Sequence, residues 1–174
     1  MKKPYFFSRD GLSDEHYRLI GLIAAEWAEF ELVMESALLH FLYNSWGDLS
    51  WRRSHCLSAE MGNVSRVNAI LSLASVAEQW GKVTETQFLA LEKLCNRADT
   101  LRGQRNEIVH ATWMPRREGS TEPPHRSKMT AKRVLKVSLE PRDDKTLMAI
   151  AEGISQLNWE WRAFFKDVLR SKVF

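Results

Sequence analysis

Apolar residues in the first quarter of the chain repeat with a period that suits a helix and no other regular structure. Leu19, Ile23, Trp27, Phe30, Met34, Ala37, Leu38 and Phe41 follow the i, i+3, i+4, i+7 rhythm of one helical face. Ser13, with Asp14 and Glu15 behind it, marks the start. A hydroxyl there can accept from the unpaired first-turn N–H groups, and acids suit the positive end of the helix dipole. The pattern predicts one helix from about Ser13 to Asn44. A stripe of that length must be covered by other elements, so the rest of the chain has to supply a matching set of apolar faces. Glu31 stands at the edge of the stripe, near Trp27 and Leu38. An acid in that position either reaches out to water or meets a partner across the bundle, and Arg105 and Arg102 are the expected partners.

The remaining chain supplies those faces. Asn44–Asp48 breaks the first helix, and a short helix is expected from about Leu49 to Glu60. Gly62-Asn63 is a second break. Val67, Ile70, Leu71 and Ala74 then give a helix from Val64 to Gln79, which Trp80-Gly81 stops. Thr84-x-x-Gln87 is a capping-box start for the next helix. Asp143 or Asp144 caps a last helix running to about Arg170, with Leu147, Ile150, Ile154, Leu157, Trp161, Phe165 and Val168 as its apolar set. Between these two helices lie Pro115, Gly119, Pro123 and Pro124, which rule out a helix. The alternation Leu135, Val137, Leu139 against Val134, Lys136, Ser138 reads as a strand, with Ala111–Met114 as its expected antiparallel partner and a mobile tip between them. The predicted fold is all-α: an up-and-down bundle of four to five helices with a short β-ribbon insert before the last helix. It forms a single domain over 1–174, with an N-terminal arm at 1–12 and a basic insert at 115–141.

The 174 residues suffice for one full core, and 44% hydrophobic with 27% charged is ordinary for a globular protein. No apolar run reaches the ~20 residues of a membrane span, and the N-terminus is not a signal peptide. No membrane association is expected. Cys56 and Cys95 are far apart in helical patterns and are expected to be small buried hydrophobes in a reducing cytoplasm. No close-spaced Cys/His cluster, Gly-rich phosphate loop or Gly-x-Ser-x-Gly elbow is present, so neither a metal nor a cofactor is expected.

The end of the penultimate helix departs from core chemistry. Helical positions advance by about 100° per residue. Leu91, Leu94, Ala98, Leu101, Ile108 and Val109 therefore share one sector, and Arg105 falls inside it. Arg102, Asn106 and His110 line its edge at i, i+4, i+8. Gly103, among them, is a candidate for close helix approach. Directly afterwards, residues 115–136 carry seven basic and two acidic side chains, +5 in a chain whose total is only +3. Arg116, Arg117, Lys128 and Lys132 are the candidate phosphate contacts there. The segment has no aromatic residue, which argues against base stacking on it.

Arg105-Asn106-x-x-x-His110 resembles the signature of the HEPN superfamily of small helical proteins: an Arg, four to six residues, then a His, often with a polar residue after the Arg. The motif covers about a dozen residues of a chain whose helical plan is similar over most of its length. The resemblance implies metal-independent cleavage of RNA, with His110 exchanging the proton, Arg105 stabilising charge on the phosphate oxygens and Asn106 orienting either. It further implies a homodimer in which two motifs face one composite cleft, and products with 2′,3′-cyclic phosphate and 5′-hydroxyl ends. A toxin or phage-defence effector, with an antitoxin protein as possible partner, is the biological setting it suggests. Two other readings of the same residues stand beside it. One is a structural Arg105 with His110 as a helix cap. The other is a non-catalytic dimeric module that binds RNA, nucleotide or a partner protein.

Overall fold

The computed structural model describes residues 12–43, 56, 58–114, 122–132 and 134–170. The expected arm, apart from Leu12, and most of the expected short helix before Glu60 lie outside them. Residues 58–60 are helical, in line with that helix. The chain is mostly helical, with a small antiparallel sheet before the last helix. The helices are α1 (Asp14–Tyr43), α2 (Asn63–Gln79), α3 (Glu85–Val109) and α4 (Asp144–Arg170). The strands are β1 (Thr112–Met114), β2 (His125–Lys132) and β3 (Val134–Pro141). No helix among the described residues is long and apolar enough to cross a membrane.

Local chemistry marks the starts of α1, α3 and α4 and the end of α2. The Ser13 hydroxyl accepts from the His16 N–H at 3.1 Å, which opens α1. Gly81, at φ 67, ends the α2 turn in the left-handed conformation that glycine adopts without penalty. The Gly81 N–H then donates to Glu78 O and the Lys82 N–H to Ala77 O, so the last carbonyls of α2 are satisfied. Thr84 and Gln87 form the reciprocal capping box at the head of α3. The Asp143 carboxylate accepts from the Thr146 N–H at 2.8 Å and opens α4.

The α1 stripe is the centre of the core. Ile23, Phe30, Met34, Ile70, Leu91, Ile154 and Trp161 are fully buried and belong to one cluster. Phe30 and Trp161 meet edge to face, 5.3 Å between centroids, where α1 packs on α4. Helices α1 and α4 run in the same direction. His16 meets Asp144 near their starts, and Arg162 reaches Glu29 further along. Helix α3 runs against α4, since Arg97 reaches Glu160 while Leu101 abuts Gly153. The close helix approach lies at Gly153, where an added Cβ would stand 3.2 Å from the Leu101 side chain. Gly103, the expected position, would place a Cβ in open space.

The insert differs from the expected ribbon. Strand β1 pairs with β2 (Thr112↔Ser127, Met114↔His125), and β2 pairs along its length with β3, from Lys132↔Val134 to His125↔Pro141. Residues 125–132, expected to lie in a loop, thus form the central strand, and the sheet has three strands rather than two. The sequence His125-Arg-Ser-Lys-Met-Thr-Ala-Lys132 lacks the alternation that marks a half-buried strand. Its conformation comes from ladder bonds on both sides and from the contact of strands adjacent in sequence.

Candidate functional site

The last turn of α3 carries the site. Leu101 and Ile108 are buried on the core side, and Val109 is half-buried. Arg105 is half-buried among them, and His110 is exposed at the cap position, where its N–H closes the helix on Asn106 O at 3.2 Å. Arg105 Nη1 donates to Asn106 Oδ1 at 3.0 Å and lies 3.3 Å from His110 Nε2. Arginine has donors only. A hydrogen bond across that contact needs Nε2 as the acceptor, so it belongs to the tautomer that carries its proton on Nδ1. The Arg105 Nε is buried with no partner, and no carboxylate reaches the guanidinium among the described residues. The arrangement places a cation with an amide and an imidazole as its polar neighbours at an exposed helix end.

The two expected supporting residues sit elsewhere. Arg102 bonds Asp99 through Nε at 3.0 Å and Nη2 at 2.7 Å, one turn back along the same helix. Glu31 does not meet either arginine. Its Oε1 accepts from Trp27 Nε1 at 2.8 Å and from Asn63 Nδ2 at 2.7 Å. The carboxylate is thus satisfied by neutral donors where α1 meets the start of α2, and the expected pairing with Arg105 is corrected.

The opposite side of the α3 end is held by a cluster that the sequence does not signal. Arg126, on β2, is 3% exposed. Its Nη1 lies 3.0 Å from Glu107 Oε2 and 3.3 Å from Glu107 O, and its Nη2 grips Glu140 of β3. Arg142 adds a bond to Glu140 at 3.1 Å. A cation at a helix C-terminus is favoured by the dipole and satisfies a carbonyl with no intrahelical partner. Arg126, although it belongs to the basic insert, is consequently neutralised inside the fold and is no phosphate contact. Arg116 and Arg117 lie outside the described residues, as do the side chains of Lys128 and Lys132.

A second unsignalled residue is His16. It is fully buried, with Nδ1 at 2.8 Å from Asp144 Oδ1 and its ring edge-on to Trp113 at 4.6 Å. It clasps the starts of α1 and α4 to the strand that follows His110. Its only signal is positional, since it lies on the same helical face as Leu19 and Ile23. Of the cysteines, Cys95 is buried as expected, and burial pushes its thiol up to about 12. Cys56 is exposed, contrary to expectation. Among the described residues no group of His, Cys, Asp and Glu side chains is arranged to hold a metal ion. Comparison of the chain with protein-family models, with curated proteins and with solved structures finds no match.

Proposed function

We propose that the chain is a metal-independent endoribonuclease of the HEPN type, cytoplasmic, acting as a homodimer with a composite active site. One observation carries the reading: Arg105 is a half-buried guanidinium whose polar neighbours are the neutral Asn106 and His110 rather than a carboxylate. An uncompensated, partly desolvated cation is costly unless an anion arrives. A phosphodiester is such an anion, and the planar fork matches two of its oxygens. As Arg105 turns its Nη1 donor from His110 to the bound phosphate, the His110 Nε2 lone pair is released beside that phosphate. In the reaction the base takes the proton of the ribose 2′-hydroxyl. The 2′-oxygen bonds to phosphorus as the bond to the 5′-oxygen breaks, and a proton donor delivers a proton to that leaving oxygen. Arg105 holds the charge that accumulates on the non-bridging oxygens. A second subunit would supply the second His110 as the acid. The half-burial of Arg105 and the exposure of His110 favour this over a structural arginine, which would be enclosed by carboxylates. An antitoxin-type protein partner belongs to the same proposal.

The test is incubation of purified protein with total RNA and with tRNA in EDTA, beside the His110→Ala variant. Cleavage to 2′,3′-cyclic phosphate ends is expected with the wild type. The variant should lose about 10²–10⁴-fold, the usual contribution of one general acid–base group. Cleavage that stops with EDTA, or that survives His110→Ala, assigns the chemistry to other groups.

A further inference from the structure

We infer that the groove enclosed by α1, α2 and the middle of α3 is a nucleobase subsite. It rests on the preceding reading only for the identity of its ligand as part of an RNA strand. The cavity holds about 230 Å³. That is below the ~300–1,000 Å³ of pockets for drug-sized ligands, so it suits one flat ring system rather than a whole nucleotide. Its floor is apolar, with Met34 and Val67 among the side chains that give a ring its van der Waals contact. Cys95 is another wall, and its raised pKa keeps it a neutral thiol.

The rim is polar and has the right valence. Asp99 and Arg102 line it, and their mutual bonds use Asp99 Oδ1 with Arg102 Nε and Nη2. Asp99 Oδ2, an acceptor, and Arg102 Nη1, a donor on the guanidinium edge turned away from Asp99, are left out of those bonds on the same rim. Every RNA base carries both donors and acceptors on its pairing edge, so a rim that offers both complements base edges as a class. The amides of Asn68 and Asn96, also on the rim, present both functions and adapt to either order. A bare phosphate, which only accepts, would leave Asp99 repelled. From Arg102 the same helical edge continues to Asn106 and His110, about 12 Å along the axis. A base held in the groove therefore belongs to a nucleotide near the phosphate at Arg105 on the same strand.

Saturation-transfer NMR with the full-length protein and the four 5′-ribonucleotides, beside ribose 5-phosphate, tests this. Base protons should receive saturation from the wild type and equally from His110→Ala, and several times more than the protons of ribose 5-phosphate, whose phosphate Arg105 can hold but which has no ring for the groove. Asn68→Trp, an exposed position where the indole would fill the mouth, should reduce the base signal at least fivefold, and so should Asp99→Ala. Equal saturation of ribose 5-phosphate, or a base signal unmoved by Asn68→Trp, overturns the subsite. RNA cleavage without base saturation overturns the subsite alone. Base saturation without RNA cleavage upholds it and removes the ribonuclease reading.

Discussion

Two arginines flank the last turn of α3, and their surroundings differ in kind. Arg126 is buried and held by the carboxylates of Glu107 and Glu140 and by a helix-end carbonyl. Arg105 is half-buried, and its bonded neighbours are an amide and an imidazole. Each guanidinium has a buried Nε without a partner, so burial alone does not separate them. Compensation does. A cation matched by carboxylates has been used up by the fold, and one matched by neutral groups retains its attraction for an anion. Arg126 carries the same lesson for the basic count of residues 115–136, since a positive count in sequence does not tell a solvated charge from a paired one.

The largest effect on stability should come from Arg126→Ala. It leaves Glu107 and Glu140 with Arg142 as their remaining cation, at about 3 kcal/mol by denaturant titration, the low end for breaking a buried pair. A loss below about 1 kcal/mol would mean that Arg126 does not hold the sheet to α3. Next is Glu31→Ala, which strips the acceptor from the Trp27 indole N–H and the Asn63 amide. About 1–3 kcal/mol is expected, because part-buried donors are left unmade. No change would show that water replaces the carboxylate without cost.

A milder effect is expected in the basic segment. Charge reversal at Arg116, Arg117, Lys128 and Lys132 should weaken RNA binding and flatten its salt dependence. The log–log slope should fall by about 0.7 for each single-strand phosphate that is no longer neutralised. An unchanged slope would class these residues with Arg126 rather than with Arg105. The smallest effect concerns Asp143. Hydrogen bonds from Thr146, from its side chain first and its backbone N–H next, hold the Asp143 carboxyl below the ordinary carboxylate range. A depressed folded-state pKa stabilises above the unfolded value and ceases to do so as pH falls through the folded one. The melting temperatures of wild type and Asp143→Ala should therefore differ at neutral pH and converge on acidification. A constant difference would assign the cap to something other than the ionised carboxylate.

Much of this fold is legible in the sequence because helices announce themselves locally. The spacing of Leu19 to Phe41 places α1, Thr84 and Gln87 place the head of α3, and Gly81 places the end of α2. The position of Arg105 on the apolar sector of α3, with Asn106 and His110 beside it, comes from the same arithmetic of 100° per residue. What is not legible depends on partners distant in sequence. The strand at 125–132 has no pattern of its own, and the burial of Arg126 follows from Glu107 and Glu140 on two other elements. Glu31 illustrates the same limit from the other side. Its edge position signals a need for a partner, but an amide and an indole meet that need as well as an arginine would.

Arg105→Ala tests the central claim most directly, with RNA cleavage and the unfolding free energy measured on the same preparation. The account predicts a loss of cleavage of at least about a hundredfold, on the scale of removing one transition-state donor. Stability should fall by only about 1 kcal/mol, since no carboxylate is left behind. Cleavage at the wild-type rate, or a stability loss as large as that of Arg126→Ala, would show that Arg105 serves the fold and not a phosphate.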